Sequence, residues 1–524
     1  MDGPAEAKPE VAAAERSSRR GAFTLMGGTL ASRVTGLVRN SLLAQFFPTS
    51  AVDAFVTAFK VPNLFRELLA EGALINSFVP VYKRLHPADA RRLAGAALSL
   101  LFLLNGLLLL GAYLAAPLLA RLLIADAGHV DVELTTRLIR VVFPFLAAIS
   151  LSALAMGLLN AEERFSAPAW APVAMNVVTA GLMALFPGQA VTLALAHVLG
   201  GAAQLAVQVP ALARAGLLPR PRFPWHPALT GVALLMVPFA VTTSGRQVVN
   251  VVASNVVTGI DAGAQGAFYL ADLFLGLSLG LFGTSPALAY YSRLSAHAAK
   301  GDDDAFAASL GEGLRLIAAM AAPAGLALAV LAPQVVDVVY NWRSLLGQPM
   351  DAGLRAYTVA ATAPLGLAVF PLAAHALLVR TFYVRGRVGA PVAVSLVSLT
   401  LQAALYYALA RPFGVAGVGA AVAVAGWAQL LLTAAFVARR ERFSPGAFAG
   451  HAARALAAAA VAAAAAYGAV LVLPAPDTWA GSVVKLVVGG AVFVAAYAAA
   501  AAVLGLPEVA ALRERFTRRV RASR

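Results

Sequence analysis

Long apolar segments alternate with short polar ones along the whole chain. A helix needs about 20 mainly apolar residues to cross a bilayer. Fourteen segments satisfy this requirement, near residues 21–47, 55–82, 93–120, 135–160, 167–186, 190–213, 228–259, 264–292, 312–332, 355–379, 390–410, 414–437, 451–473 and 481–505. The polar stretches between them are too short to be soluble domains. The pattern therefore predicts an all-α polytopic membrane protein with fourteen transmembrane helices.

Composition agrees with this interpretation. The 524 residues are 60% hydrophobic and 12% charged, whereas a soluble domain is nearer half apolar and a quarter charged. Cysteine is absent and the seven histidines are scattered, so the sequence offers no disulfide, no thiolate metal site and no histidine spacing typical of a metal site. There is no Gly-x4-Gly-Lys-Ser/Thr motif, so we expect no nucleotide cofactor. Membrane potential or a coupling ion is the expected energy source.

The distribution of basic residues fixes the expected orientation. Cytoplasmic loops are enriched in Lys and Arg, and every loop after an even-numbered helix carries at least one basic residue: Lys83, Arg84, Arg91 and Arg92; Arg164; Arg214, Arg220 and Arg222; Arg293 and Lys300; Arg385 and Arg387; Arg439, Arg440 and Arg442. Arg121, Arg343 and Arg411 are exceptions. Both termini are therefore predicted to be cytoplasmic, which explains the net charge of +15 without nucleic acid.

The two polar ends have different expected roles. Residues 1–20 lack the apolar core of a signal peptide and are predicted to be a disordered cytoplasmic arm. Residues 506–524 form a basic tail, which we expect to lie on anionic lipids of the inner leaflet, at about 1 kcal/mol per basic residue.

A short motif occurs twice. Arg164 precedes Ala167-Pro168, and Arg387 precedes Ala390-Pro391 at the same spacing. Six predicted helices separate the copies, and an even number preserves orientation, which is typical of parallel repeats. We therefore predict an N-lobe at 21–213 and a C-lobe at 228–437, each of six helices, around a central cavity. A linker at 214–227 joins them, and two further helices occupy 451–505. A chance match is the alternative.

The strongest functional signal lies in the first two predicted helices. They contain Arg33, Arg39, Lys60, Arg66 and Glu71. A charge at the bilayer centre costs about 2.5–3.5 kcal/mol on insertion scales, so these side chains must meet water, a partner or a ligand. Because the basic residues outnumber the acidic ones, the simplest shared ligand is an anion. The alternative is snorkelling to the membrane surface, which suits Arg39 and Lys60 better than Arg33.

Other charged residues have structural and functional interpretations. Asp53 precedes the second predicted helix, where capping is the simpler role. Glu71 and Glu67 share one helix face; they neutralise the basic residues or carry a coupling proton or cation. Asp272 and Arg246 lie at comparable depth in predicted helices 8 and 7, where they form a buried ion pair or line the cavity.

These residues also carry a resemblance to a known family. The runs SRVTGLVR at 32–39, DAF at 53–55, FKVPNLFR at 59–66, AEGA at 70–73 and FVP at 78–80 resemble the MurJ (MviN) lipid II flippases, and the likeness extends over essentially the whole chain. The resemblance implies the fold of the multidrug/oligosaccharidyl-lipid/polysaccharide exporter superfamily, with a lipid-tail groove at helices 13 and 14. It implies transport of undecaprenyl-pyrophosphate-linked disaccharide-pentapeptide (lipid II) across the bacterial cytoplasmic membrane. The family's cavity arginines fall on Arg33, Arg39 and Arg66, and its nearby acidic position on Asp53.

The sequence also departs from the family pattern. Leu273 stands where members commonly have arginine, Glu67 where they have a second basic residue, and Asn40 where they often have aspartate. We hypothesise that Arg246 supplies the missing charge.

The resemblance thus implies a flippase, not an enzyme, with lipid II or a related polyprenyl-pyrophosphate glycan as its cargo and cell-wall synthesis proteins as candidate partners. The alternatives are a flippase for another polyprenyl-linked glycan, a drug or cation antiporter of the same superfamily, and a non-transporting scaffold for cell-wall assembly.

Overall fold

The described part of the protein is helical. The structure is a computed structural model that describes residues 9–69, 73–223, 226–387 and 389–508, without the side chains of 9–23, 25, 26, 67–69, 73, 76 and 237–246. Helices joined by turns and loops, with no strand, make up these ranges. The chain divides into two compact units, Met1–Gln247 and Val248–Arg524.

Eight helices and the start of a ninth form the first unit. They are α1 Pro9–Phe46, α2 Thr49–Leu69, α3 Ala73–Lys83, α4 Pro87–Leu123, α5 Val132–Val142, α6 Pro144–Ala161, α7 Ser166–Leu185, α8 Ala190–Arg214 and α9 Ala228–Thr258. Its core lies between α3, α4, α6 and α8, where Leu93, Phe145 and Leu158 are at most 1% exposed. Apolar side chains on one stripe of each helix account for this packing.

The second unit contains the end of α9 and the remaining helices. They are α10 Ala264–Leu279, a π-helical turn Gly280–Thr284, α11 Ser285–Ala299, α12 Asp303–Val330, α13 Ala332–Tyr340, a 3-10 turn Trp342–Leu346, α14 Ala352–Gly366, α15 Val369–Val384, α16 Gly389–Ala438, α17 Pro445–Val472 and α18 Trp479–Val503. Gly414 interrupts α16 with a φ of 56°, where a left-handed conformation favours glycine.

Each of the fourteen predicted segments coincides with helical residues, but fewer helices are apolar enough to count as spans. Within the described ranges, nine helices qualify by length and composition, or ten if α14 and α15, bent by 46°, form one span. Three causes reduce the number. The 50-residue α16 counts once although it covers two predicted segments, and α1 and α2 carry charged residues. In α9 the side chains of 237–246 lie outside the described part, so this helix contributes only the shorter apolar stretch Gln247–Thr258. Multiple apolar helices thus define a multi-pass membrane protein, and fourteen spans remain a prediction.

Several predicted boundaries differ from the structure. The segment 55–82 contains two helices, α2 and α3, and α2 continues through Pro62 without ending there. The segment 135–160 is divided at Phe143 and Pro144, because proline cannot donate a helical hydrogen bond. Helix α1 begins at Pro9, inside the stretch 1–20 that we predicted to be a disordered arm. Most of the basic tail lies outside the described residues.

The two copies of the repeated motif form the same turn. Glu163 and Gly386 have φ values of 57° and 66°. The next residue donates its backbone N–H five residues back in each copy, from Arg164 to Leu159 at 2.9 Å and from Arg387 to Phe382 at 2.8 Å. This geometry is a Schellman motif, which ends many helices, so the shared turn alone does not establish a repeat.

A buried carboxylate joins helix α18 to α13 and α14. Asp337 of α13 accepts hydrogen bonds from both Nε and Nη2 of Arg355, the latter at 2.8 Å, and from Ser482 Oγ at 3.0 Å. Trp479 Nε1 donates to the carbonyl of Val338 at 3.1 Å. The Asp337 side chain is 9% exposed, so its charge depends on these donors.

We predict that Asp337→Ala lowers the thermal stability of the purified protein, because it leaves Arg355 without its paired acceptor. The expected loss is about 1.5–3 kcal/mol, the range for a hydrogen bond to a charged group. Thermal unfolding in detergent measures it. Asp477→Ala is the matched control, since Asp477 pairs with Lys485 at 2.9 Å but its side chain is 99% exposed. Equal melting temperatures for the two variants would contradict this account.

Candidate functional site

The best-defined contact in the candidate site joins Arg39 of α1 to α7. Arg39 Nη1 donates to Asn176 Oδ1 at 3.0 Å, and Nη2 donates to Asn40 Oδ1 at 3.3 Å. Its Nε is buried and has no hydrogen-bond partner among the described residues. Both acceptors are neutral amides, so the contacts orient the guanidinium without neutralising it.

Asn176 also holds the backbone of α1. Its Nδ2 donates to the carbonyl of Ser32 at 2.9 Å and lies 3.4 Å from Thr35 Oγ1. The residue is 7% exposed on a helix of otherwise mostly apolar residues. One amide therefore fixes the helix that carries both Arg33 and Arg39 and also contacts Arg39 directly.

Helix α1 crosses α7 closely because a glycine lies at the crossing. A Cβ at Gly28 would lie 2.4 Å from the carbonyl oxygen of Ala169, closer than such atoms can approach. At Gly36, a Cβ would lie 3.4 Å from Asn176 Nδ2. Small residues permit such close helix contacts in membranes. The glycines that the sequence places in α1 thus determine how near Asn176 comes to Arg39.

Arg33 provides a second unsatisfied donor on α1. The side chain is half-buried, and its Nη1 is buried without a hydrogen-bond partner in the described ranges. Buried polar groups are normally paired, and a buried cation is costly without a partner. Arg33 and Arg39 thus each have one N–H group without a partner among the described residues, and such charged donors form strong hydrogen bonds with anionic oxygens.

Helix α2 carries three further predicted site residues of the first unit. Arg66 is half-buried and its Nε donates to Asn63 Oδ1 at 2.8 Å, while Lys60 is half-buried as well. Asp53 is fully buried inside α2, which begins at Thr49. The predicted capping role of Asp53 is therefore wrong, because α2 begins four residues before it.

An aromatic cluster packs α2 against α6 and α8. The His197 ring lies 4.7 Å from that of Phe55 and 5.0 Å from that of Phe59, and Phe59 lies 5.2 Å from Phe145. His197 Nδ1 donates to the Leu193 carbonyl at 2.8 Å. This packing holds α2 against α6 and α8, and it gives His197 a structural role.

The other predicted site residues either lack a described side chain or belong to the second unit. Glu71 lies outside the described residues, and so do the side chains of Arg246 and Glu67. Asp272 is exposed on α10 of the second unit, and Leu273 beside it is half-buried. Among the described residues, no group of three or more His, Asp or Glu side chains could hold a metal ion.

Sequence reasoning missed the amide residues that hold the arginines. Asn176 is 137 positions from Arg39, so only the packing of α1 on α7 brings them together. One signal was present in the sequence: a buried polar residue in an apolar span needs a partner. Residues three apart are neighbours on a helix surface, so the hydrogen bond between Asn63 and Arg66 could have been predicted from the sequence.

Comparison with known proteins adds independent information. The model of a family described as "Lipid II flippase MurJ" matches residues 43–488. The lipid II flippase MurJ of Burkholderia cenocepacia is 30% identical over 444 residues, which cover 81% of this chain and 85% of that protein. The probable lipid II flippase MurJ of Rhizobium tropici is 31% identical over 437 residues, which cover 78% and 80%.

Solved structures show the same fold. The chain superimposes on "Lipid II flippase MurJ, inward closed conformation" with a TM-score of 0.75 and 19% identity, over 92% of this chain and 99% of that one. An inward-facing multidrug resistance MATE family transporter of the MOP superfamily gives a TM-score of 0.65 at 15% identity, over 78% and 94%.

The described residues form a multi-pass helical membrane protein, and two arginines of its first helix have buried donors with no partner among those residues. The family match covers most of the chain, and relatives about 30% identical cover four fifths of it. The chain belongs to the lipid II flippase MurJ family, and the resemblance drawn from its first eighty residues is confirmed.

We predict that Gly28→Ala destabilises the protein and Gly27→Ala does not, because only the first introduces a methyl group into the α1–α7 crossing. A Cβ at Gly27 meets nothing within 4 Å and adds helix propensity. Overpacking at Gly28 costs about 1–3 kcal/mol. Thermal unfolding of the two variants measures the difference, and an unchanged melting temperature for Gly28→Ala would show that the helices separate there at no cost.

Proposed function

We propose that this protein moves lipid II from the inner to the outer leaflet of the bacterial cytoplasmic membrane. Family membership supports the cargo, since the curated relatives are named lipid II flippases. The observation that carries the chemistry is the pair of buried, unpartnered donors, Arg33 Nη1 and Arg39 Nε. A flippase of this kind makes and breaks no covalent bond.

The arginines match the most difficult part of the cargo to transport, its pyrophosphate. Guanidinium groups bind phosphate oxygens through paired, charge-assisted hydrogen bonds. An arginine in the apolar region costs about 2.5–3.5 kcal/mol on insertion scales, and binding an anion offsets that cost for both partners. In our proposal Arg33, Arg39 and Arg66 meet the pyrophosphate, and Lys60 adds positive charge nearby.

The remaining parts of the chain complete the proposed cycle. We propose fourteen spans with both termini cytoplasmic, and transport by alternating access as two six-helix lobes rock. The polyprenyl tail stays in lipid along α17 and α18, and the basic tail of the chain meets anionic lipids. Membrane potential biases charged steps by about 2.3 kcal/mol per charge per 100 mV, with a coupling ion as the other candidate energy source.

One observation favours a second cargo. Leu273 on α10 is half-buried, at the position where we expected the family's helix-8 arginine. A less basic site would suit a polyprenyl-linked glycan with a less charged headgroup. Activity toward such a glycan in place of lipid II would select this alternative.

We predict that the wild-type protein rescues growth of a strain depleted of its lipid II flippase and that Arg33→Ala and Arg66→Ala do not. Each substitution removes a cation from the binding site, and one lost charge-assisted hydrogen bond costs about 1.5–3 kcal/mol, which lowers flipping about tenfold or more. Rescue is measured at matched membrane abundance. Arg92→Ala is the matched control, because Arg92 is largely exposed beside Asp89.

Three other results have defined meanings. Rescue by Arg33→Ala and Arg66→Ala would overturn the arginine mechanism and favour a scaffold role. Failure of the well-inserted wild type would favour another polyprenyl cargo. Efflux of organic cations without rescue would identify an antiporter.

A separate prediction concerns Arg246. If it supplies the charge missing at Leu273, Arg246→Ala lowers flipping about tenfold in the same assay, as expected for loss of one hydrogen bond to a charged group. Restoring arginine with Leu273→Arg should then recover activity in the double variant. Full activity of Arg246→Ala beside an inactive Arg33→Ala would exclude the compensation.

A further inference from the structure

Asn176 makes contacts that a packing residue in an apolar helix does not need. Its Oδ1 accepts from Arg39 Nη1 at 3.0 Å, and its Nδ2 donates to the Ser32 carbonyl at 2.9 Å. The side chain is 7% exposed. The oxygen and the nitrogen of this buried amide therefore both bond to α1. The oxygen accepts from Arg39, which is a predicted ligand-binding residue.

The contact restricts the Arg39 side chain. An arginine loses side-chain conformational entropy when it is fixed in one rotamer. Two amide oxygens, from Asn176 and Asn40, already accept from its Nη1 and Nη2. Most of this ordering is thus present before a ligand arrives, which improves affinity by preorganisation.

The contact also preserves the charge of Arg39. A carboxylate at position 176 would form an ion pair and cancel much of the field that an incoming anion meets. An amide accepts the same hydrogen bond without a net charge. Because Nε of Arg39 stays buried and unpartnered within the described residues, the guanidinium keeps both its positive charge and a free N–H.

We propose that Asn176 is a positioning residue for anion recognition: it orients Arg39 for the pyrophosphate of the transported lipid while leaving the arginine fully charged. This inference rests on the function proposed above. Asn176 does not touch the ligand in this account; it acts through Arg39. The effect of replacing Asn176 must therefore depend on whether Arg39 is present.

A double-mutant cycle on binding tests this dependence. The dissociation constant of purified protein for lipid II is measured in detergent for the wild type, Asn176→Ala, Arg39→Ala and the double variant. We expect Asn176→Ala to weaken binding about tenfold, as for one lost hydrogen bond to a charged group. In the Arg39→Ala background, which retains Arg33 and Arg66, the same substitution should change affinity less than about twofold, because interacting residues are not additive.

Asn176→Asp separates charge from shape. It keeps the shape and an acceptor for Arg39, and it should weaken binding because it neutralises the guanidinium. It also loses the Nδ2 donor to the Ser32 carbonyl, so its melting temperature is measured beside its affinity, and weaker binding supports the charge argument only where the fold is retained. This variant also keeps the test informative if Asn176→Ala fails to fold. Thr179→Ala is the matched control: Thr179 lies one turn further along α7, is buried, and donates to the Ala196 carbonyl at 3.2 Å, so it should leave lipid II affinity unchanged.

The outcomes distinguish this inference from the proposed function. Equal weakening by Asn176→Ala in both backgrounds would show a merely structural role and overturn the inference. Wild-type affinity in Asn176→Asp would overturn the charge argument. If the wild-type protein itself does not bind lipid II, the proposed function fails, and the inference fails with it.

Discussion

A guanidinium group inside an apolar helix is stable only if its N–H groups are paired or a ligand offsets its charge. Arg39 shows how this protein meets that requirement. Two amides satisfy part of the group, and one buried N–H has no hydrogen-bond partner among the described residues. Arg33 has one such donor as well, within the same ranges. In the function that we propose, the pyrophosphate of the cargo offsets the positive charge of these two arginines.

The close crossing of α1 and α7 makes this arrangement possible. Gly28 removes the steric barrier to Ala169, and the resulting proximity brings Asn176 within hydrogen-bond distance of both Ser32 and Arg39. Backbone packing and side-chain positioning therefore depend on one another. A change that separates the helices would also break the hydrogen bond between Asn176 and Arg39, so the orientation of Arg39 depends on the packing of α1 against α7.

Local sequence patterns predicted the helices well, whereas contacts between residues far apart in the chain could not be predicted from them. The length of the apolar segments located helical residues in every predicted span. The cost of a charge in an apolar segment pointed first to Arg33 and Arg66, and Arg39 was the weaker candidate on that argument alone. The break between α5 and α6 at residues 142–144 was not predicted, because a hydropathy average over a long window is insensitive to a single proline. Asp53 was wrongly assigned as a helix cap, because α2 begins before it. Asn176 could not be paired with Arg39 from spacing, since 137 residues separate them. Family resemblance supplied the cargo, which spacing alone could not.

The central claim is that the protein recognises the pyrophosphate of its cargo. The most direct measurement is transbilayer movement in proteoliposomes that contain the purified protein, with fluorescent lipid II compared with an analogue that has the same glycan and polyprenyl chain but a neutral linkage. We expect the protein to move lipid II across the bilayer and to move little of the neutral analogue. Equal rates for the two lipids would contradict it, because transport would then not depend on the charge that the arginines bind.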